Sequence, residues 1–94
     1  MADREKVVFR YWQGDIIALF PELASDPNPY FCESYQHVGQ HASADPFLLI
    51  RASRPATLTE YRPLLRELQS RGYRLDIRRR MSSDAIEIRR GQLR

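Results

Sequence analysis

Apolar and polar positions change their period several times along the chain, and each change predicts an element. Val7-Val8-Phe9-Arg10-Tyr11-Trp12 and Ile16-Ile17-Ala18-Leu19-Phe20 are β-branched and aromatic runs on either side of Gln13-Gly14-Asp15, a turn signal, so this stretch predicts a β-hairpin. Pro21 and the cluster Ser25-Asp26-Pro27-Asn28-Pro29 predict that the second strand stops and a surface loop follows, because proline lacks a ladder donor and pushes its predecessor away from helix. Tyr30 to Tyr35 fits a third strand. Phe47-Leu48-Leu49-Ile50-Arg51, behind Pro46, reads as a further and well-buried one, with a polar, histidine-containing loop between the two.

Thr57-Leu58-Thr59-Glu60 matches a capping box and predicts a helix start. Leu58, Tyr61, Leu65 and Leu68 recur at helical steps, Leu64 widens the stripe, and Gly72 supplies a left-handed cap. Pro63, inside this pattern, is expected to distort the first turns or move the start. Beyond the cap, Tyr73, Leu75 and Ile77 alternate with Arg74, Asp76 and Arg78. After Met81-Ser82-Ser83-Asp84, Ile86 and Ile88 alternate with Glu87 and Arg89, which predicts a second hairpin. The fold class that follows is α+β, a single helix packed on a mostly antiparallel sheet of about four to six short strands, in one domain spanning residues 1–94.

Composition agrees with one soluble domain: 94 residues hold a single core, and 43% hydrophobic with 29% charged residues excludes a wholly disordered chain. No apolar run nears the roughly 20 residues that cross a bilayer, and the start has no signal-peptide core, so a cytoplasmic protein without a membrane partner is expected. A single cysteine agrees with a reducing compartment. Charge is divided: residues 1–50 carry three basic against seven acidic groups, and residues 51–94 twelve arginines against five acids. Lys6 is the sole lysine. Arginine's planar fork suits phosphate and carboxylate, so the second half points to nucleic acid or an acidic protein, while arginine-biased coding would give the same count with no partner. On the predicted hairpin Arg74, Arg78, Arg80 and Arg89 would line one face with Asp76 and Glu87 among them. With Trp12 or Tyr11 alongside, that face would bind single strands by stacking and charge; otherwise the arginines pair with the interleaved acids.

The segment from Cys32 to Asp45 holds the only cysteine and both histidines. A chain folding back there would bring Cys32, His37, His41 and Asp45 to one metal ion, with zinc the ion these ligand types suit, although structural zinc normally shows two clear ligand pairs. No other cofactor is indicated. Alternatively Cys32 acts as a nucleophile, with a histidine as base and Asp45 or Glu33 orienting it. The third reading is a recognition loop: Ser34, Tyr35, Gln36, His37, Gln40 and His41 form a hydrogen-bonded network held by the scaffold.

The pattern Ile17-Ala18-Leu19-Phe20-Pro21-Glu22, Ser34-Tyr35-Gln36-His37-Val38-Gly39-Gln40-His41, Arg54-Pro55-Ala56-Thr57 with Glu60-Tyr61, and Gly72-Tyr73-Arg74-Leu75 resembles a group of small uncharacterised bacterial proteins also found on phages and mobile elements. The likeness spans roughly residues 7–80, and the histidine octet is its most specific part. It implies a compact accessory protein with a phage-related task, such as inhibiting a host defence or blocking a nucleic-acid machine. The function expected is therefore a non-enzymatic binding module acting on nucleic acid or on a nucleic-acid-handling protein. Its rivals are a metal-dependent or cysteine-based enzyme centred on residues 32–45 and a homodimer formed through a sheet edge.

Overall fold

The computed structural model describes residues 4–37 and 39–93, so Val38 of the histidine octet lies outside them. Strands β1 (Glu5–Trp12) and β2 (Asp15–Ala24) form the predicted hairpin, with Val8 opposite Leu19 and Trp12 opposite Asp15. Gln13 and Gly14 both take positive φ, the left-handed pair a two-residue hairpin turn needs. Strand β3 (Cys32–Gln36) pairs antiparallel with β2, and β4 (Gln40–Ala44) pairs back on β3. Then come α1 (Pro46–Arg51), β5 (Arg54–Pro55), α2 (Leu58–Ser70), β6 (Leu75–Arg78) and α3 (Ala85–Gln92). The sheet runs β4-β3-β2-β1-β5, and β6 shares the outer edge of β1. The expected α+β architecture is what the chain adopts: one long helix on a six-stranded sheet, antiparallel except where β6 runs parallel to β1.

Helix α2 follows its sequence signals closely. The Thr57 hydroxyl accepts from Glu60 N–H at 3.3 Å and the Glu60 carboxylate accepts from Thr57 N–H at 2.9 Å, closing the capping box. At the other end Gly72 has φ +96°, its N–H reaches Gln69 C=O, and Tyr73 N–H reaches Leu68 C=O, the paired bonds of a Schellman cap. Leu64 and Leu68 are fully buried, whereas Leu58 is exposed and stands outside the stripe. Pro63 neither moves the start nor breaks the helix, because it and Thr59, whose carbonyl loses its helical donor, both lie on the solvent side.

Three further assignments of elements are corrected. Residues 47–51 are helix, not buried strand. Asp45 accepts from Phe47 N–H and Leu48 N–H, and Pro46 occupies the first turn, where its missing donor costs nothing. This short helix buries Leu49 and leaves Phe47 and Leu48 outside. The histidine segment is not a loop between strands but the β3–β4 hairpin itself. The second hairpin does not form: β6 joins β1, and Ile86 and Ile88 belong to α3, since two alternating isoleucines are too few to fix a period of two. In consequence Arg89 does not share an exposed face with Arg74, Arg78 and Arg80.

Both faces of β1 and β2 are buried. Val7, Phe9, Ala18, Phe20 and Tyr35 pack with Leu64 and Leu68 of α2, with Phe9 stacked on Tyr61 at 4.5 Å between ring centroids. Val8, Ile17, Leu19 and Cys32 face the other way, against Leu49 of α1. Pro21 does not stop β2, contrary to expectation. Phe20 lies opposite Glu33 and Ala24 opposite Cys32, so Pro21, Glu22 and Leu23 form a bulge that absorbs the missing proline donor. Side chains of α3 then complete the interrupted ladder. The buried Arg89 donates to Pro21 C=O and Pro29 C=O, and Gln92 donates to Glu22 C=O while accepting from Ala24 N–H at 2.7 Å. Arg10 acts similarly on α1, donating to Ile50 C=O, Ser53 C=O and the Ser53 hydroxyl, which anchors that helix's C-terminal end to the sheet.

Candidate functional site

The histidine hairpin places its polar residues on two sides of the sheet. On the α2 side, Tyr35 is fully buried, donates its hydroxyl to Glu67 and accepts from Gly39 N–H at 3.0 Å. Burial, then the Glu67 bond, push its phenol above the usual value. His37 sits in the turn with Nδ1 3.4 Å from Glu67 and Nε2 3.8 Å from Asp15 of the first hairpin. His41 meets the Tyr35 ring edge-on, and the Arg71 guanidinium lies 5.6 Å from the same ring. The cluster ties both hairpin turns to α2; the Tyr35 hydroxyl and the Glu67 carboxylate are engaged within it, while Asp15 is half exposed and accepts from Ile16 N–H.

Cys32 and Asp45 lie on the α1 side, with the sheet between them and the histidines, so the four candidate metal ligands do not converge. Among the described residues no three His, Cys, Asp or Glu side chains gather as a metal-holding group. Asp45 is engaged as the α1 cap. Cys32 is inaccessible, and burial pushes its thiol up to about 11 in spite of the nearby Arg89. A nucleophilic thiol requires the opposite shift and an open approach.

The remaining sequence-selected residues separate as well. Trp12 and Gln36 line a shallow apolar groove between α1 and β4, and Gln40 is exposed on β4. Arg74 is exposed beside Arg4 and Gln69 and does not line the groove that holds Arg78 and Arg80. Arg78 and Arg80, by contrast, line a groove of about 890 Å³ on the α1 side of the β5 and β6 edge, together with Arg51, Arg79, Phe47 and Met81. Arg78 is held by Asp76 at 2.8 Å. Arg51, Arg79 and Arg80 are exposed and make no ion pair among the described residues, and Phe47 beside them is 51% exposed. Arg10 forms the floor, its guanidinium already engaged by α1. Three guanidinium groups without a carboxylate, a fourth on a single carboxylate and a bare aromatic ring thus surround one concavity.

The sequence pattern selects Arg78 and Arg80 but passes over Arg51, Arg79 and Phe47. The first and last are hidden when 47–51 is taken for a buried strand. The Arg78-Arg79-Arg80 run is the signal that could have found Arg79, since alternation cannot continue through three consecutive charges.

No family model, curated protein or solved structure matches the chain. Among the described residues no helix is long and apolar enough to cross a membrane.

Proposed function

We propose that this chain is a non-enzymatic nucleic-acid-binding module, in which the arginine groove takes the sugar–phosphate backbone and Phe47 receives a stacked base. The observation that carries the reading is the combination at one site of exposed Arg51, Arg79 and Arg80, free of carboxylates among the described residues, with a half-exposed aromatic ring. Exposed arginines elsewhere either pair with a neighbouring acid, as Arg54 does with Glu60 and Arg90 with Glu87, or, like Arg62, Arg66 and Arg74, stand without an ion pair among the described residues but outside this groove and its aromatic ring. Guanidinium forks bind phosphate oxygens in pairs, and an exposed ring accepts any base face, so the chemistry suits an unpaired strand with little sequence preference. An accessory role for a phage or mobile element, directed at a nucleic-acid-handling complex, is compatible with such a module and forms part of the proposal. The reading calls for no cofactor.

Fluorescence anisotropy with labelled single-stranded DNA, single-stranded RNA and duplex DNA tests it. Affinity should fall steeply with salt, and Arg79→Glu with Arg80→Glu should flatten the log–log slope by about 0.7 for each phosphate of a single strand that is no longer neutralised. Phe47→Ala should cost about 1–3 kcal/mol if it carries one stacked base. Arg74→Glu, outside the groove, should change the slope far less. Absence of binding to all three probes at low salt rejects the reading. A partner protein captured through the same groove would instead show weak salt dependence and losses concentrated at Phe47 and one arginine.

A further inference from the structure

The two edges of the sheet are treated in opposite ways. Along the outer side of β1 the edge is formed by β5, two residues long and containing Pro55, and by β6, four residues whose Asp76 and Arg78 face outward as an ion pair. Shortness, proline and charge are the usual means of preventing strands from pairing with other chains. The opposite edge has none of them. Strand β4 is five residues, Gln40-His41-Ala42-Ser43-Ala44, with neither proline nor Asp, Glu, Lys or Arg, and it ends the sheet with one side unpaired among the described residues. Its first four residues are exposed. Beside it lies the apolar groove lined by Trp12, Ala42, Ala44 and Leu48, and Leu48 is 62% exposed.

We infer that β4 pairs antiparallel with β4 of a second copy of this chain, making a continuous sheet across a two-fold axis. Charge selects the occupant. The arginine-rich surfaces of two copies repel, and the β4 edge is where two net-positive molecules can meet through uncharged residues. The geometry is also self-complementary: an axis perpendicular to the sheet keeps both α1 helices on one face, so that each Leu48 can close over the partner's groove, and a register centred on Ala42 puts small side chains together at the axis. Five paired residues span only about 17 Å and fall short of the roughly 1,200–2,000 Å² buried in a stable interface, so Leu48 must contribute. The arginine grooves lie at the guarded edge, so pairing leaves both open at the two ends of the joined sheet.

Sedimentation velocity over a concentration series tests this with the full chain. The wild type should sediment at twice the 11.1 kDa chain mass as concentration rises. Ala42→Lys with Ser43→Lys should raise the dimer dissociation constant about tenfold or more, as each dimer carries both changes twice. Ala42 and Ser43 are exposed and the changes remove only the bond from the Ser25 hydroxyl to that of Ser43, so far-UV circular dichroism, and the melting temperature at concentrations where the wild type is monomeric, should barely move; Leu48→Glu, on a different element, should weaken the dimer independently. A monomer up to the solubility limit overturns the inference and leaves the edge to an extended segment of another protein. A dimer that neither set of changes weakens overturns it too, by placing the contact elsewhere.

Discussion

Replacing Arg89 by alanine, with Arg90→Ala as the control, sets two adjacent arginines in opposite roles. Arg89 is fully buried, with Nε 2.7 Å from Pro29 C=O and Nη1 on Pro21 C=O, and Nη2 has no partner among the described residues. Truncation leaves two carbonyls without donors inside the protein, each costing about 1–3 kcal/mol, and opens a cavity where the side chain lay. Against this, the guanidinium is no longer desolvated with one nitrogen unpaired, which returns part of the loss. The net expectation is about 2–5 kcal/mol, a large share of the roughly 5–15 kcal/mol that stabilises a small domain. Arg90 only pairs with exposed Glu87 one turn away, and its loss should stay within about 0.5 kcal/mol. Urea unfolding followed by circular dichroism measures both, with the midpoint moving and the slope unchanged. Were residues 85–92 a strand, Arg89 would lie beside Glu87 on the exposed polar face and its truncation would cost little. Arg89→Ala within about 0.5 kcal/mol of wild type would therefore refute the account of α3.

Two further outcomes are expected. Cys32 should resist a soluble thiol reagent in the native protein at pH 8 and react on unfolding, because its thiol is buried and pushed up to about 11; rapid labelling of the folded chain would revive the cysteine-enzyme reading. Glu60, held down to about 2 mainly by its two-pronged bond from Arg54, contributes stability that is present above its ordinary value of 4.5 and lost as pH falls toward 2. Glu60→Gln should therefore flatten the decline of melting temperature in that window, and an unchanged acid profile would contradict the assignment.

Much of the fold was legible wherever a local signal and the tertiary environment agree. The first hairpin has a turn pair suited to left-handed backbone between two apolar runs, and α2 has a reciprocal box at one end and glycine at the other. Failure came where a short apolar run carried no period. Phe47 to Arg51 is as hydrophobic as a central strand, and only Asp45-Pro46 ahead of it, a cap followed by a first-turn proline, marks it as helix. Pro21 failed for another reason: its tolerance inside β2 depends on Arg89 and Gln92, more than sixty residues away in sequence, and no window of sequence contains that dependence.

Arginine shows the same limit where it bears on function. Fourteen arginines give one net charge, yet eight of them fall into three groups by what their guanidinium groups meet. Arg10 and Arg89 serve the backbone, replacing donors that a helix end and a bulge lack. Arg54, Arg78 and Arg90 are held by carboxylates within a few residues. Arg51, Arg79 and Arg80 share a groove and meet no carboxylate among the described residues. Composition weighs all three groups alike, and periodicity placed Arg89 with the surface set because alternation puts it on the face of Glu87, two residues away, whereas the helix puts it on the face of the buried Ala85, four away. Neither the total charge nor the arginine fraction therefore points to a ligand; the gathering of Arg51, Arg79 and Arg80 in one groove beside the exposed Phe47 ring, with no carboxylate on them among the described residues, does.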